Sequence, residues 1–457
     1  MACSGSLSAW TPARSGGGSR GAASSCCGGE RRGCAAAALT AAWLLAATQA
    51  AAGDWPQWRG PSRNGKSEET NWLATWPPTL VWTQSVGEGY SSVTVSEGQA
   101  YTLGHAAGRD TVYSFDAVTG AKRWDYSYAC GPVNYDGPRA TPTVHGQKLY
   151  TYSQEGHLHC FDKHSGKLLW QKLVNRGRPT WGLAGSPLVD ANLIVLNAGG
   201  NGVAIRASAP YDTVWTSDGI AAYSSPVALN WAGRRLIVLF TDAGVVGVDR
   251  AAGTRRWWFP WVHSYNIPDP VPYNDKLFVA CGYADFCALL RLANGELKPV
   301  WQNQNLRIEC CTPVLIGDNL YGFDNGETLR CIDIRDGKIQ WSADTLGFYE
   351  GGLIAADGKL IVLGDSGALA IVRASPTRYI LDRQPIAKIL PGAGTEEWST
   401  APVLANGRLY CRSTEGTVVC LQVGVDGAAF GRGRSRKSEV GSRKLRIVPE
   451  NEDPDSE

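Results

Sequence analysis

The 457-residue sequence repeats one unit eight times at spacings of 39 to 50 residues, and this repetition restricts the fold more than any other feature. Two clear copies are TPTVHGQKLYTYSQEGHLHCFDKHSGKLLW (141–170) and TPVLIGDNLYGFDNGETLRCIDIRDGKIQW (312–341). Each copy contains four short runs of alternating apolar and polar residues separated by turn residues, which is typical of a four-stranded antiparallel sheet. The sequence therefore predicts an all-β fold, a β-propeller with one blade per copy.

Each copy opens on small residues, usually followed by proline and an apolar run, which we interpret as the innermost strand of a blade. These openings lie at Ser92, Pro142, Pro187, Pro226, Pro270, Pro313, Leu353 and Pro402. They predict an eight-bladed propeller. The last copy (401–423) stops before the outer strand with its tryptophan, whereas such a strand, LVWTQSV (80–86), precedes the first opening. We expect this N-terminal strand to pair with the last blade and close the ring, which removes a free sheet edge.

The turns before the outer strands share an Asp-Gly-Trp pattern. The copies are FDAVTGAKRW (115–124), FDKHSGKLLW (161–170), VDRAAGTRRW (248–257) and IDIRDGKIQW (332–341). Glycine can adopt a positive φ in the hairpin, aspartate can accept hydrogen bonds from turn amides, and tryptophan offers a flat face to wedge between blades. The pattern resembles the repeat of pyrroloquinoline-quinone-like (PQQ-like) β-propellers, and the resemblance covers residues 80–423.

The segments outside the repeats predict an exported protein. Arg31 and Arg32 precede an apolar run (34–52) that ends in small residues, which is the pattern of a secretory signal cleaved near Ala52; a transmembrane anchor is the alternative. We expect a signal or leader segment at 1–52, an N-terminal segment packing on the propeller at 53–79, the propeller at 80–423 and a disordered tail at 424–457. The predicted location is periplasmic or secreted, with no membrane span in the mature chain.

Charge and cysteine content narrow the possible partners. Lys+Arg 44 and Asp+Glu 42 give a net charge of +2, which provides no basic surface for nucleic acid. Of the 13 cysteines, those at 160, 331 and 420 share one position of the repeat between apolar neighbours. This spacing indicates small buried core residues rather than a disulfide framework. We expect a monomer.

The loops that lead into the innermost strands gather around the central channel of a propeller, so they are the natural place for a ligand site. The predicted ligand-binding residues are Tyr90, Asp136, Arg139, Trp181, Tyr223, Asn266, Glu309, Glu350, Glu397 and Trp398. Aromatic and charged side chains together suit a planar or sugar-like ligand. No catalytic residue is predicted. His157 and His159 are interpreted as a surface pair, because no third metal ligand is evident.

We therefore expect a non-enzymatic binding or assembly scaffold for a protein or carbohydrate partner, without a cofactor. The resemblance implies two roles, since such propellers include the propeller subunit of the outer-membrane β-barrel assembly machinery and PQQ/Ca-dependent quinoprotein dehydrogenases. The alternative function is thus oxidation of an alcohol or sugar. Cys310-Cys311 resembles the cysteine pair that packs on the quinone in such enzymes, and the resemblance offers Glu309, Glu350, Asn266 and Asp136 as calcium ligands.

Overall fold

Eight sheets of consecutive strands make up the described part of the chain. The computed structural model describes residues 53–131, 135, 137–231, 233–261, 265–282, 286–293, 295–325, 328–343, 351–386 and 389–424. The predicted leader at 1–52 and the predicted tail from 425 onward lie outside the described residues. Within these ranges no helix is long and apolar enough to cross a membrane.

Two strands precede the first blade, and the first four blades follow in chain order. The strands are β1 (Lys66–Ser67), β2 (Thr79–Ser85), β3 (Thr94–Ser96), β4 (Gln99–Ala106), β5 (Arg109–Asp116), β6 (Lys122–Ala129), β7 (Thr143–His145), β8 (Lys148–Tyr152), β9 (His157–Asp162), β10 (Leu168–Leu173), β11 (Leu188–Asp190), β12 (Leu193–Leu196), β13 (Val203–Arg206), β14 (Thr213–Trp215), β15 (Val227–Trp231), β16 (Arg234–Thr241), β17 (Gly244–Asp249) and β18 (Arg255–Pro260). Blades 1 to 4 are β3–β6, β7–β10, β11–β14 and β15–β18.

The remaining strands complete the ring. They are β19 (Val271–Tyr273), β20 (Lys276–Cys281), β21 (Phe286–Ala293), β22 (Glu296–Asn303), β23 (Val314–Ile316), β24 (Asn319–Asp324), β25 (Thr328–Asp333), β26 (Ile339–Ala343), β27 (Gly352–Ala356), β28 (Lys359–Leu363), β29 (Leu369–Arg373), β30 (Leu381–Ile386), β31 (Val403–Ala405), β32 (Arg408–Arg412) and β33 (Thr417–Gln422). Blades 5 to 7 are β19–β22, β23–β26 and β27–β30, with β1 added to blade 7, and blade 8 is β31–β33 with β2. Each innermost strand begins within two residues of its predicted opening, so the eight-bladed prediction is confirmed.

The ring closes as the sequence predicts. Strand β2 pairs antiparallel with β33, so that Trp82 lies opposite Cys420 and blade 8 is assembled from both ends of the propeller. Arg412 of β32 is buried and reaches blade 1, where its guanidinium donates to the carbonyl oxygens of Ser91 (2.6 Å) and Gly87 (3.2 Å). The junction of the chain ends is therefore joined by both sheet pairing and side-chain hydrogen bonds.

The outer-strand tryptophans dock on the next blade. Strand β30 of blade 7 (LDRQPI) carries no tryptophan. The Trp124 indole of blade 1 donates to the carbonyl oxygen of Lys163 in blade 2 (3.0 Å), and its ring covers Gly166 of the same turn. Trp82, Trp215, Trp301 and Trp341 make the equivalent hydrogen bond to Ala117, Arg250, Ile334 and Ser375. The Asp-Gly-Trp pattern thus acts between blades as well as within one turn.

The contact made by the outer-strand tryptophan is different where the turn of the next blade lacks the Asp-Gly pattern. Blade 3 carries SAPYDTVW (208–215) instead of an Asp-Gly turn, and there the Trp170 ring stacks on Tyr211 at 4.9 Å. Within the described part of the chain, the buried indole nitrogens of Trp170 and Trp257 have no hydrogen-bond partner. At these two boundaries the tryptophan contributes apolar packing and no hydrogen bond.

The cysteines of the described ranges form no disulfide framework, as predicted. All nine in the described ranges are free thiols. Cys160, Cys331 and Cys420 are buried within β9, β25 and β33. The stability of the ring therefore comes from packing and hydrogen bonding.

The contact between tryptophan and the glycine turn predicts that alanine substitution destabilises the protein more at one glycine than at another, although both glycines have a positive φ. A Cβ at Gly166 (φ +70°) would lie 2.5 Å from the Trp124 ring, whereas a Cβ at Gly146 (φ +59°) would meet nothing within 4 Å. Gly146→Ala should cost about 1 kcal/mol because of its backbone conformation. Gly166→Ala should cost about 1–3 kcal/mol more, because the tryptophan must move. Urea unfolding of the two variants measures the difference, and equal losses would contradict the docking role.

Candidate functional site

A cavity of about 500 Å³ lies at the mouth of the central channel, where the loops before the innermost strands converge. Five of the predicted ligand-binding residues line it, from the loops that precede blades 1, 2, 3, 4 and 8. These residues are Tyr90, Arg139, Trp181, Tyr223 and Glu397. The volume lies within the range of about 300–1,000 Å³ that small-molecule sites occupy.

One wall of the cavity is a continuous aromatic cluster around Trp181. Its indole stacks on Tyr265 with ring centroids 4.4 Å apart and an interplanar angle of 14°. Tyr223 lies 5.1 Å from the same indole, and Tyr135 meets it edge-on at 5.8 Å. The Tyr223 hydroxyl also accepts a hydrogen bond from the Trp181 backbone N–H (3.2 Å). The contacts hold Trp181 in place as a flat, half-buried surface within the cavity.

The charged groups Arg139 and Glu397 line the cavity from the loops before blades 2 and 8. The Arg139 guanidinium lies over the Tyr90 ring at 5.2 Å and donates to the carbonyl oxygen of Tyr135 (2.7 Å). Burial raises the pKa of the Tyr90 hydroxyl above its ordinary value, although Arg139 lowers it. Tyr90 is therefore a neutral hydroxyl at physiological pH, able both to donate and to accept a hydrogen bond.

The N-terminal segment (53–72) crosses the opposite side of the channel and uses the free edges of the innermost strands. Trp55 exchanges two 2.9 Å backbone hydrogen bonds with Val95 of blade 1, and the N–H of Val144 in blade 2 donates to Pro56 (2.8 Å). Strand β1 then pairs in parallel with β27 of blade 7. Strand edges that would otherwise be unpaired are thereby satisfied, and the segment covers the channel below the cavity.

This segment also brings polar side chains to the cavity floor. The Trp58 indole donates to the Asp269 carboxylate (2.7 Å), and both residues line the cavity. Arg59 is buried below them and donates to the carbonyl oxygen of Thr312 (2.7 Å). Burial raises the pKa of Asp269, which Arg59 and Arg63 oppose by their charge. Burial has the opposite effect on a basic group, and it lowers the pKa of Arg63 to about 10.

A belt of side chains links the blades immediately above this floor. At five successive openings, from blade 1 to blade 5, a backbone N–H donates to the side-chain oxygen of the equivalent residue in the next blade. The bonds run from Ser92 to Thr141 (3.1 Å), Thr141 to Ser186 (2.9 Å), Ser186 to Ser225 (3.0 Å), Ser225 to Asp269 (2.7 Å) and Asp269 to Thr312 (2.8 Å). Asp269 thus occupies a position that Ser or Thr fills in the neighbouring blades.

Three of the predicted site residues have other surroundings. Asn266 is fully buried, and its amide donates to the carbonyl oxygen of Thr241 (2.9 Å), so it supports the loops from behind. Trp398 is 0% exposed and packs in the core beside Gly367. Glu309 lies against Gly282 and is not among the residues that line the cavity. Asp136 and Glu350 lie outside the described residues.

The structure also brings to the cavity residues that are not among the predicted ligand-binding residues. Trp58, Tyr135 and Tyr265 add aromatic surface, and Asp269 adds a carboxylate. Asp269 had a recognisable signal, because Asp-Pro stands where other blades have Ser-Pro or Thr-Pro. For Trp58, the sequence predicts that its segment packs on the propeller but not the contact with Asp269, which lies 211 residues away.

A sequence comparison now places the chain among known families. The PQQ-like repeat model described as outer membrane protein assembly factor BamB matches residues 108–343 and, in a second overlapping match, residues 260–428. The two matches together span more than half of the chain. This protein belongs to that PQQ-like propeller family. Comparison with curated protein sequences gives no match.

Solved structures share the fold of this PQQ-like propeller at low sequence identity. BamB from Moraxella catarrhalis superposes with a TM-score of 0.55 at 14% identity, covering 76% of this chain and 97% of that one. A europium-containing methanol dehydrogenase gives 0.61 at 13%, covering 79% and 89%. Quinohemoprotein alcohol dehydrogenase from Comamonas testosteroni gives 0.59 at 14%, covering 82% and 81%. These similarities establish the propeller fold of this chain. They do not distinguish an assembly factor from a dehydrogenase.

The described lining does not assemble the calcium ligands that the resemblance to quinoprotein dehydrogenases implies. Asp269 and Glu397 are its carboxylates, and no described third Cys, His, Asp or Glu joins either of them within ligand distance. The Asp269 oxygens already accept from Ser225 and Trp58, both at 2.7 Å. Glu309 and Asn266 lie elsewhere, as described above. Asp136 and Glu350, the other two implied ligands, lie outside the described residues, so the described lining of this PQQ-like propeller does not form a calcium site by itself.

The belt of hydrogen bonds predicts that two serine-to-alanine substitutions differ in their effect on stability and on hydrogen exchange at Thr141. Ser186→Ala removes the acceptor of the buried Thr141 N–H, whereas Ser92→Ala removes a hydroxyl that donates to the carbonyl oxygen of Ala401 (3.3 Å) and leaves the belt intact. Leaving a buried N–H without an acceptor should cost about 1–3 kcal/mol in Ser186→Ala. Hydrogen exchange at Thr141 should accelerate in Ser186→Ala alone. Equal acceleration in both variants would show that the belt does not link the blades.

Proposed function

We propose that this PQQ-like propeller is an exported, non-enzymatic binding scaffold whose cavity holds sugar rings of a carbohydrate. The observation that carries the proposal is the stacked aromatic wall around Trp181 facing polar groups within one cavity of about 500 Å³. Aromatic faces pack against the C–H faces of sugar rings, and carboxylate, guanidinium and hydroxyl groups bind sugar hydroxyls. Such a mixture of apolar surface and few polar groups is typical of small-molecule sites.

The shape of the site favours a small ligand over a flat protein surface. The N-terminal segment covers the channel beneath the cavity, and the belt residues Ser186 and Ser225 surround the floor. Specific protein interfaces are usually broader, burying about 800 Å² on each partner. A carbohydrate chain inserting one end into the cavity matches this geometry better than a folded protein.

The alternative function, a PQQ/Ca-dependent dehydrogenase, has one observation in its favour. Cys310 and Cys311 line the same cavity as Trp181, as a quinone-packing pair would. Against it, neither Asp269 nor Glu397 belongs to a group of three Cys, His, Asp or Glu side chains with ligand spacing among the described residues. The two functions are distinguished by adding PQQ and Ca²⁺ to the purified protein and following quinone absorbance and dye-linked oxidation of alcohols and sugars. Stoichiometric binding with turnover would reject the scaffold proposal.

Removal of the aromatic wall should abolish sugar binding. The full chain, titrated calorimetrically with neutral trisaccharides such as maltotriose, cellotriose and chitotriose, should bind at least one of them. Trp181→Ala should weaken that binding by about tenfold or more, equivalent to about 1.4 kcal/mol. Trp258, which is 43% exposed on β18 of blade 4 and does not line the cavity, provides the control. Absence of binding by every trisaccharide, or equal affinity of Trp181→Ala and Trp258→Ala, would reject a carbohydrate site.

Export is supported by the basic and apolar pattern of residues 31–52 and by membership of a family described as an outer membrane protein assembly factor. Protein isolated from its own cells should be recovered outside the cytoplasm with an N-terminus near Gly53. Cell fractionation followed by N-terminal sequencing measures both properties. Recovery of the whole population from the cytoplasm with residues 1–52 intact would contradict export.

A further inference from the structure

Three potential metal ligands meet at the boundary between blades 1 and 2, away from the cavity lining. Cys130 follows β6 of blade 1. In blade 2, Glu155 lies in the turn between β8 and β9, and His157 is the first residue of β9. One ligand atom from each residue lies within 4.8 Å of the other two. Among the described residues, this trio is the one group of three Cys, His, Asp or Glu side chains with such spacing.

The backbone holds the trio before any ion binds. The Ser153 hydroxyl accepts from the N–H groups of His157 (2.9 Å) and Glu155 (3.2 Å), which fixes the turn. The Gln154 side chain donates to the carbonyl oxygen of Gly131 (2.9 Å) and ties this turn to the residue after Cys130. The ligands therefore need little rearrangement to converge on one ion, which reduces the entropic cost of binding.

The burial and the hydrogen bonding of the three side chains favour a cation between them. Cys130 is 1% exposed, and a buried nitrogen of the His157 ring, Nδ1, has no hydrogen-bond partner within the described part of the chain. Buried polar atoms without a partner are rare in folded proteins and call for an explanation. The fully buried Asp110 carboxylate lies nearby, bound to His105 (2.8 Å) and Tyr128 (3.3 Å). A cation held by the trio would supply a partner for Nδ1 of His157.

We propose that Cys130, Glu155 and His157 bind a divalent transition-metal ion, Zn²⁺ above all, with water in the fourth position. One thiolate, one imidazole and one carboxylate match the ligands and tetrahedral geometry of zinc. Calcium and magnesium prefer oxygen ligands throughout. The inference does not depend on the proposed carbohydrate site.

The ion would join two blades at the face that carries the cavity. Cys130 belongs to blade 1 and the other ligands to blade 2, so coordination would crosslink the outer strand of one blade to an inner hairpin of the next. The turn also contacts the cavity, because Gln154 accepts a hydrogen bond from Arg139 (3.3 Å). His159 is no ligand of this trio. It is 3% exposed and packs on Tyr128 at 4.5 Å, so the predicted surface pair with His157 is wrong for His159.

Cobalt substitution tests the site in the untagged full chain. After removal of metals with a chelator, titration with Co²⁺ should produce a thiolate-to-cobalt charge-transfer band that saturates at one equivalent. Zn²⁺ should displace the cobalt, and competition with a chromophoric chelator gives its affinity. Cys130→Ser should remove the band, and Cys130→Ser and His157→Gln should each weaken Zn²⁺ binding by about 100-fold or more.

Matched substitutions provide the controls. Cys160→Ser removes a buried thiol of blade 2, and His145→Gln removes an exposed imidazole of the same blade. Both variants should leave the band and the affinity unchanged. Glu155→Gln changes one oxygen of a partly exposed side chain, so it tests the site in a protein that should remain folded by circular dichroism. Absence of cobalt or zinc binding by the unmodified chain would overturn the proposal. A charge-transfer band that persists in Cys130→Ser, or unchanged zinc affinity in Glu155→Gln and His157→Gln, would also overturn it.

Discussion

The structure depends on covering both faces of every blade, because a four-stranded sheet cannot bury its apolar residues alone. Each blade meets this requirement by packing on its two neighbours, and at four boundaries the outer-strand tryptophan lies against a glycine in the turn of the next blade. A linear array would leave two blades half covered. The ring avoids this because Trp82, from before the first blade, docks on blade 1 while its strand completes blade 8. Closure of the ring thus covers the blades at the chain ends in the same way as neighbouring blades cover each other elsewhere.

The central channel is a consequence of this ring, and it creates a second requirement. The innermost strands present backbone groups toward the channel, and unpaired buried groups are costly. The N-terminal segment satisfies several of them by pairing with blades 1, 2 and 7. The same pairing positions Trp58 against Asp269 and buries Arg59 beneath them. The floor of the candidate site is therefore built by contacts that also stabilise the fold.

Much of the fold could be predicted from the sequence because its determinants are local and repeated. Proline after a small residue marks an inner strand, and the Asp-Gly-Trp turn marks the hairpin before an outer strand; both signals recur at nearly constant spacing. The site was predicted less completely, since loop position does not determine side-chain direction. Trp181 and Asn266 lie in equivalent loops, yet one lines the cavity and the other is fully buried behind it. The position of Trp58 depends on its hydrogen bond to Asp269, which lies more than 200 residues away in the sequence, and no local pattern reveals such a contact.

Residues that break the repeat identify where chemistry can occur on this scaffold. Serine and threonine in the belt serve packing, whereas Asp269 adds a charge at one blade without losing the belt hydrogen bond. Cys130, Glu155 and His157 likewise meet at one blade boundary. A symmetric ring offers eight similar positions, so a side chain needed only for folding would be expected at many of them. Side chains that occur at one position, and still converge with others, are better explained by a ligand than by the ring.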